Sequence, residues 1–191
     1  LARQIPQADI STKNSLWEKS KFMGVEITGK TLGVIGCGNI GTIVIDRAKG
    51  LKMKVIGYDP YLTEERADSM VIEKVELKEL FARSDFITIH TPLTEQTKNI
   101  INADSIKQMK SSVRIINCAR GGLVDEEALL DALKNGKIAG AAIDVFQDEP
   151  AKHNPLFENE KIICTPHLGA STAEAQEKVA VQIAEQMSDF L

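Results

Sequence analysis

Short apolar runs alternate with amphipathic segments along most of the chain. The runs have the length of buried strands, and the segments between them repeat apolar residues at helical spacing. This alternation is typical of successive βα units, which assemble into a parallel sheet covered by helices on both faces. We therefore predict an α/β fold, a doubly wound parallel sheet, in a single domain over residues 1–191.

The predicted elements fall into two similar halves. The predicted strands are Thr31–Ile35, Lys54–Tyr58, a weak strand near 71–72, Phe86–Ile89, 113–116, 138–143 and Ile162–Cys164. The predicted helices are 40–51, 77–82, 126–135 with Asp125 as N-cap and Gly136 as stop, and a last helix from about Ser171. Residues 1–5 resemble the tail of a helix and lack a methionine, so we expect an excerpt from a longer protein.

Residues 36–41 read Gly-Cys-Gly-Asn-Ile-Gly, directly after a predicted strand and at the start of a helix. In this context the three glycines predict a tight turn, a close approach of the backbone to a pyrophosphate, and close packing of helix on strand. An ordinary strand-to-helix turn is the alternative. The context favours a Rossmann-type dinucleotide site, and the residues predicted to form it are Gly36, Gly38, Asn39, Ile40 and Gly41.

Asp59 follows the last of these glycines by 18 residues and ends the second strand. A carboxylate at that point accepts hydrogen bonds from both hydroxyls of the adenosine ribose and repels a phosphate there. No basic residue occupies positions 60–62, so the sequence favours NAD over NADP. The alternative is that Asp59 caps the turn before Pro60.

Residues 24–31 match the spacing of a phosphate-binding Walker A loop. That loop must leave a strand and enter a helix, whereas this segment leaves an irregular region and enters a strand. We interpret the match as a chance one and expect no ATP site.

Three polar residues follow predicted strands, at the carboxyl edge where a doubly wound sheet binds its ligands. Arg120 can clamp a carboxylate through two parallel hydrogen bonds, or it can form a salt bridge at the sheet edge. Glu149 and His167 lie on two loops that could meet, and a carboxylate fixes the tautomer of an imidazole that exchanges protons. A loop histidine with an ordinary hydrogen bond is the alternative for His167.

Composition and the placement of cysteines and histidines argue against several other classes of ligand. The 23 basic and 27 acidic residues give a formal charge of −4 without a basic stripe, which argues against nucleic acid as a ligand. The sequence contains no apolar run of membrane-spanning length and no signal peptide, so we expect no membrane contact and a cytoplasmic location. Cys37, Cys118 and Cys164 are predicted to be reduced core residues, and the three histidines are too dispersed for a zinc site.

Taken together, these motifs resemble the D-isomer-specific 2-hydroxyacid dehydrogenases over nearly the whole chain. The matching segments are 36–41, Asp59, His90-Thr91-Pro92, 117–122 with Val124-Asp125, Asp144-Val145-Phe146, Glu149-Pro150 and 166–170. Within the family, segments 21–24, 118–122 and 167–172 are most similar to the branch that oxidises D-3-phosphoglycerate.

The resemblance implies a role for each site residue. Arg120 would hold the substrate carboxylate, His167 would exchange the proton and Glu149 would support His167, while hydride passes to NAD. The implied reaction converts 3-phosphoglycerate to 3-phosphohydroxypyruvate, the entry to serine biosynthesis. The residues implied to line the cofactor are Thr91, Cys118, Ala119, Arg120, Asp144 (near the carboxamide), His167, Leu168, Gly169 and Ala170.

The sequence departs from the family pattern at two positions of the glycine-rich loop. The family commonly has an apolar residue at the position of Cys37 and an arginine at the position of Asn39, so we expect modestly weaker binding of the pyrophosphate.

The resemblance implies a homodimer. It also implies a separate substrate-binding domain, joined through helices at 1–8 and 172–191. The alternatives are another D-2-hydroxyacid dehydrogenase, such as a glyoxylate or hydroxypyruvate reductase, and a dinucleotide-sensing corepressor-like binding protein.

Overall fold

A computed structural model describes residues 1–190 as one parallel sheet with helices packed on it. The strands are Thr31–Ile35 (β1), Lys54–Tyr58 (β2), Glu73–Lys74 (β3), Phe86–Ile89 (β4), Arg114–Asn117 (β5), Gly140–Ile143 (β6) and Ile162–Cys164 (β7). The helices are Ile5–Lys13 (α1), Asn39–Gly50 (α2), Glu64–Met70 (α3), Leu77–Arg83 (α4), Ala103–Gln108 (α5), Glu126–Lys134 (α6) and Ala173–Phe190 (α7), with a 3-10 helix at Pro155–Glu158.

All seven strands run parallel in the order β3-β2-β1-β4-β5-β6-β7. The chain moves outward from β1 to one edge, returns to β4 and continues to the other edge. This confirms the predicted doubly wound sheet. Because every strand points the same way, all the loops that leave carboxyl ends meet at one edge.

The buried apolar side chains form two clusters. Leu32 and Val34 of β1 belong to one cluster and Ile35 to the other, because successive strand residues point to opposite faces. β4 is buried at all four positions, including Thr88, as expected for a central strand covered on both faces.

Most of the predicted elements are confirmed within two residues at each end, including Asp125 as the N-cap of α6, which accepts from the amide of Ala128. Gly136 has a φ of 68° just past α6, as its predicted stop requires. Residues 24–30 are irregular and lead into β1, which is the context that argued against a Walker A loop.

The prediction for the N-terminal segment was wrong. Helix α1 begins at Ile5 rather than ending there, so the helix lies at 5–13 instead of 1–8. Pro6 explains the difference, since proline lacks an amide hydrogen and is favoured in the first turn of a helix. At the other end α7 covers most of the predicted 172–191 helix, and Leu191 lies outside the described residues.

Other differences are smaller. Helices α3 and α5 and the 3-10 helix were not predicted, and β3 lies two residues after the expected weak strand. In the part of the chain that the structure describes, no helix has both the length and the apolar character needed to span a membrane.

Candidate cofactor and proton-transfer site

The glycine-rich loop joins β1 to α2 through a turn that requires glycine at two points. Gly36 has a φ of 93°, and a Cβ there would lie 2.6 Å from the carbonyl oxygen of His90. A Cβ on Gly41 would lie 2.0 Å from the carbonyl oxygen of Gly36. Side chains at these positions would push the turn away from β4 and the helix away from the turn.

Gly38 differs, because a Cβ on it would meet no atom of residues 1–190 within 4 Å. Its φ of −73° suits any residue, so the fold itself does not demand glycine here. The first turn of α2 begins beside it, with Asn39 and Ile40, and has neither a side-chain cap nor an acidic residue. The free amides and the open space fit the pyrophosphate of a dinucleotide.

The Asp59 carboxylate links the glycine-rich loop to the turn after β2. Oδ2 accepts from the amide of Cys37 at 2.9 Å, and Oδ1 accepts from the amide of Tyr61 at 2.8 Å. The second bond is the turn-capping contact that the sequence offered as an alternative. Since each carboxylate oxygen can accept two hydrogen bonds, Asp59 can cap the turn and still accept hydrogen bonds from ribose hydroxyls.

A cleft of about 480 Å³ opens at the carboxyl ends of β1, β4 and β5. The Thr91 hydroxyl oxygen is buried there and has no hydrogen-bond partner within residues 1–190. A buried hydroxyl without a partner marks a position where a ligand can supply one. The cleft is lined by Ile40, His90, Thr91, Pro92, Leu93, Cys118, Ala119 and Arg120.

The three cysteines are free, but only Cys37 is a buried core residue. Burial, and then the charge of Asp59, raises the pKa of Cys37 to about 11, which leaves the thiol protonated and unreactive. Cys118 is exposed, so its prediction as a core residue was wrong. Strand β5 ends at Asn117, and Cys118 already lies outside the sheet.

Arg120 lies on the loop after β5, with its side chain exposed. Its guanidinium donates to the carbonyl of Ala119 at 2.6 Å, and within residues 1–190 it forms no ion pair. The salt bridge considered as an alternative is therefore absent from this part of the chain. Buried Asn117 shapes the loop, since its amide donates to the carbonyl of Arg120 and its side-chain oxygen accepts from Ala119.

Glu149 and His167 are in direct contact. The imidazole Nδ1 lies 2.8 Å from Glu149 Oε2, and Glu149 Oε1 accepts from the amide of Phe146 at 2.9 Å. The bond to His167, then the Phe146 amide, lowers the pKa of Glu149. Because Nδ1 faces the carboxylate and the side chain is 48% exposed, Nε2 is the nitrogen that a substrate can reach.

The buried carboxylate of Asp144 holds the loop that carries His167. It accepts from the Thr165 hydroxyl, from the Leu168 amide at 2.8 Å and from the Gly169 amide at 3.0 Å. Burial opposes ionisation, but these donors and nearby His167 outweigh it and lower the pKa of Asp144. The backbone carbonyl of Asp144 also accepts from the His167 amide at 2.9 Å.

His167 has a φ of 55°, a left-handed conformation that costs a residue with a side chain roughly 1 kcal/mol. The bonds to Asp144 maintain this conformation, which turns the imidazole toward Glu149. Sequence reasoning placed Asp144 only at the cofactor, and it did not include Thr165. The signal for Thr165 was its position directly after β7, facing the end of β6.

The predicted site residues thus form two neighbouring groups on the carboxyl edge. The loops after β1, β4 and β5 carry the cofactor cleft with Arg120, and those after β6 and β7 carry Glu149 and His167. Arg120 forms no hydrogen bond or ion pair with Glu149 or His167. Ala170 is exposed after the Asp144-bound segment. Within residues 1–190 no group of three or more His, Cys, Asp or Glu side chains could hold a metal ion.

Comparison with known proteins points to one family. A model described as the NAD binding domain of D-isomer specific 2-hydroxyacid dehydrogenase matches residues 1–169. The chain is similar to D-3-phosphoglycerate dehydrogenase of Methanocaldococcus jannaschii, at 53% identity, and of Homo sapiens, at 49%. All of the chain aligns with each, yet it spans only 36% of the length of either relative.

The fold is also similar to solved structures of a reductase and a dehydrogenase. A pyruvate reductase of Chlamydomonas reinhardtii matches with a TM-score of 0.91 and 32% identity, over 99% of this chain and 62% of that one. A D-lactate dehydrogenase of Aquifex aeolicus, complexed with NAD and lactic acid, matches with a TM-score of 0.89 and 30% identity, over 100% of this chain and 62% of that one.

Replacing Gly38 with alanine should weaken NAD binding without destabilising the fold. The added methyl group meets no atom of residues 1–190 but occupies the space in front of the α2 amides. Overpacking of about 1–3 kcal/mol corresponds to a rise in Kd of about 5-fold to 160-fold. Calorimetric titration with NAD measures this effect. Gly50→Ala, at the far end of α2, is the matched control and should bind like the parent. Equal affinities for the two variants would contradict the assignment.

Replacing Asp144 with asparagine should destabilise the chain in a pH-dependent way. At pH 7 we expect a loss of about 2 kcal/mol in the free energy of unfolding, because charged acceptor bonds are lost. The folded-state pKa is lowered, so the stabilisation is complete above the ordinary value of 3.8 and disappears as the pH falls through the folded value. Urea unfolding from pH 7 to pH 3 should show the difference shrinking. Asp148→Asn, at an exposed position, serves as the control. A difference in the free energy of unfolding that stays constant with pH would refute the stabilising role of the hydrogen bonds to the Asp144 carboxylate.

Proposed function

The chain belongs to the D-isomer-specific 2-hydroxyacid dehydrogenases, as their NAD-binding domain, and we propose that it serves in the oxidation of D-3-phosphoglycerate to 3-phosphohydroxypyruvate. The observation that carries this proposal is the Glu149–His167 contact of 2.8 Å, at the sheet edge that also bears the glycine-rich loop. The choice of substrate is supported by the identity of about half of all positions to D-3-phosphoglycerate dehydrogenases.

His167 is the proton-transfer residue in this proposal. NAD, when bound, would accept the hydride that leaves C2 of the substrate. As the C2–H bond breaks and the C2 carbonyl forms, Nε2 of His167 accepts the hydroxyl proton, and it returns a proton in the reverse direction. Nδ1 keeps its hydrogen toward Glu149, so the tautomer that can accept a proton at Nε2 is the one favoured by the hydrogen bond.

Glu149 supports His167 electrostatically. The lowered pKa of Glu149 keeps this carboxyl ionised at neutral pH. A carboxylate 2.8 Å from Nδ1 stabilises the imidazolium that forms when the substrate hydroxyl loses its proton. Its second oxygen is held by the Phe146 amide, so the carboxylate keeps one orientation.

Arg120 binds and polarises the substrate. Its guanidinium is exposed, and among the described residues it makes one hydrogen bond, to a neighbouring carbonyl, and no ion pair, so it can turn to a substrate carboxylate. A guanidinium presents two parallel donors that match a carboxylate. The same positive charge withdraws electron density from the reacting C2 oxygen and eases loss of its proton.

The cofactor is proposed to lie across the edge of the sheet, from Asp59 to the cleft that contains Thr91. Asp59 favours NAD, because its carboxylate accepts ribose hydroxyls and repels a 2′-phosphate. The other residues proposed to contact the cofactor are Gly36, Gly38, Asn39, Ile40, Gly41, Cys118, Ala119, Arg120, Asp144, His167, Leu168, Gly169 and Ala170.

The groups that bind the substrate phosphate are proposed to lie outside residues 1–191, in a separate domain. Helix α7 has no buried residue and exposes Val179, Ile183 and Met187, which suits a helix that packs against such a domain. We also propose a cytoplasmic homodimer that catalyses the first step of serine biosynthesis. On this account the 191-residue chain alone binds NAD but turns over substrate poorly or not at all.

Replacing His167 with alanine in the full-length protein should abolish most of the oxidation of 3-phosphoglycerate. Loss of a positioned proton acceptor typically lowers kcat by about 10²–10⁴-fold, and the affinity for NAD should change far less. NADH formation measures the rate, and His153→Ala, which replaces an exposed loop histidine, should behave like the parent.

A panel of other 2-hydroxyacids tests the choice of substrate. Faster turnover of D-lactate, glycerate or glycolate than of 3-phosphoglycerate would move the chain to another branch of the family. NAD binding without oxidation of any panel member would favour the dinucleotide-sensing binding protein.

A further inference from the structure

The Glu126 carboxylate holds both ends of the loop that carries Glu149. Its Oε1 accepts from the backbone amide of Gln147 at 2.7 Å, and its Oε2 accepts from the side-chain amide of Asn154 at 2.6 Å. Glu126 is the first residue of α6 and is half-buried. One side chain thus joins α6 to two points that bracket residues 147–154.

Both anchored points are close in sequence to residues that line a pocket together with Glu149 and His167, namely Phe146 and Phe157. Gln147 follows Phe146, whose amide donates to Glu149 Oε1 at 2.9 Å. Asn154 caps the 3-10 helix through a bond from the Leu156 amide to its side-chain oxygen at 2.9 Å. The Glu126 carboxylate therefore sets the distance between α6 and the backbone from which Glu149 extends.

A general role in helix stability does not account for these bonds. Asp125 already caps α6 by accepting from the Ala128 amide at 3.0 Å. Glu127 places an equal charge in the same first turn, where it interacts with the helix dipole, but it is exposed and makes no hydrogen bond to the loop within residues 1–190. Glu126 differs from Glu127 in its contacts with the loop rather than in its charge.

We propose that Glu126 is a positioning residue for the proton-transfer pair, a role that rests on the proposed function of Glu149 and His167. Without its two bonds, the backbone at Phe146 and Gln147 is free to shift, and the Glu149 carboxylate moves with it. A displacement of about 1 Å at a catalytic group can lower a rate by as much as about 10²-fold. Glu126 acts through Glu149 and touches neither substrate nor cofactor.

A double-mutant cycle in the full-length enzyme tests this role. Glu126→Ala should lower kcat for 3-phosphoglycerate by about 10-fold to 10²-fold, with little change in the KM for NAD, while the matched control Glu127→Ala stays near the parent. In a Glu149→Ala background, Glu126→Ala should add less than about a further twofold loss, because the partner through which it acts is gone. Losses that multiply in the double variant would overturn the proposal.

Amide hydrogen exchange supplies a readout that does not depend on substrate. Exchange at Phe146 and Gln147 should be faster in Glu126→Ala than in Glu127→Ala, with β6 equally protected in both. Unchanged exchange at these two amides would overturn the positioning role, even if the parent oxidises no 2-hydroxyacid and the proposed function fails. If Glu126→Ala does not fold, Glu126→Gln retains one acceptor oxygen and should show the same changes at smaller size.

Discussion

The hydrogen bonds to the Asp144 carboxylate connect the last two strands to the chemistry of the site. The carboxylate is buried at the end of β6 and accepts from Thr165, Leu168 and Gly169 on the chain that leaves β7. These bonds curl that chain into a loop, and His167 at its centre takes a left-handed conformation facing Glu149. Within residues 1–190 no other charged side chain is buried, so without these bonds the imidazole loses its fixed direction.

Parallel pairing makes this arrangement possible. Because all seven strands deliver their carboxyl ends to one edge, the glycine-rich loop, Asp59 and the Thr91 cleft lie on the same edge as the His167 loop. The two halves differ in character. The cofactor half relies on glycines, backbone amides and one carboxylate, Asp59. The proton-transfer half relies on three carboxylates that each hold a loop: Asp144, Glu149 and Glu126.

The features that the sequence predicted are those encoded by neighbouring residues. The glycine-rich loop is read from six consecutive positions and the strand before it from the five that precede them, and buried strands such as Phe86–Ile89 are short runs that are mostly apolar. Helices α3 and α5 were missed because they are short and each buries one apolar residue, Ala67 in α3 and Ile106 in α5. Cys118 was misassigned because an apolar run does not reveal where the strand within it ends.

The contacts that complete the site join residues far apart in sequence. Glu126 reaches residues 21 and 28 positions away, and Glu149 meets His167 across 18 positions. Sequence spacing allowed the Glu149–His167 contact without establishing it, and it contained no signal for the Glu126 anchors. Asp144 was expected to face the cofactor, but most of its acceptor capacity is taken by the loop after β7, which leaves one lone pair on Oδ2 for a ligand.

The most direct test is a crystal structure of the full-length protein with NAD and 3-phosphoglycerate. We expect the pyrophosphate to lie on the amides of α2, the nicotinamide in the cleft beside Thr91, and the substrate hydroxyl within hydrogen-bond distance of His167 Nε2, with Glu149 still bonded to Nδ1. A cofactor bound away from the glycine-rich loop, or a substrate hydroxyl that contacts a group other than His167, would contradict it.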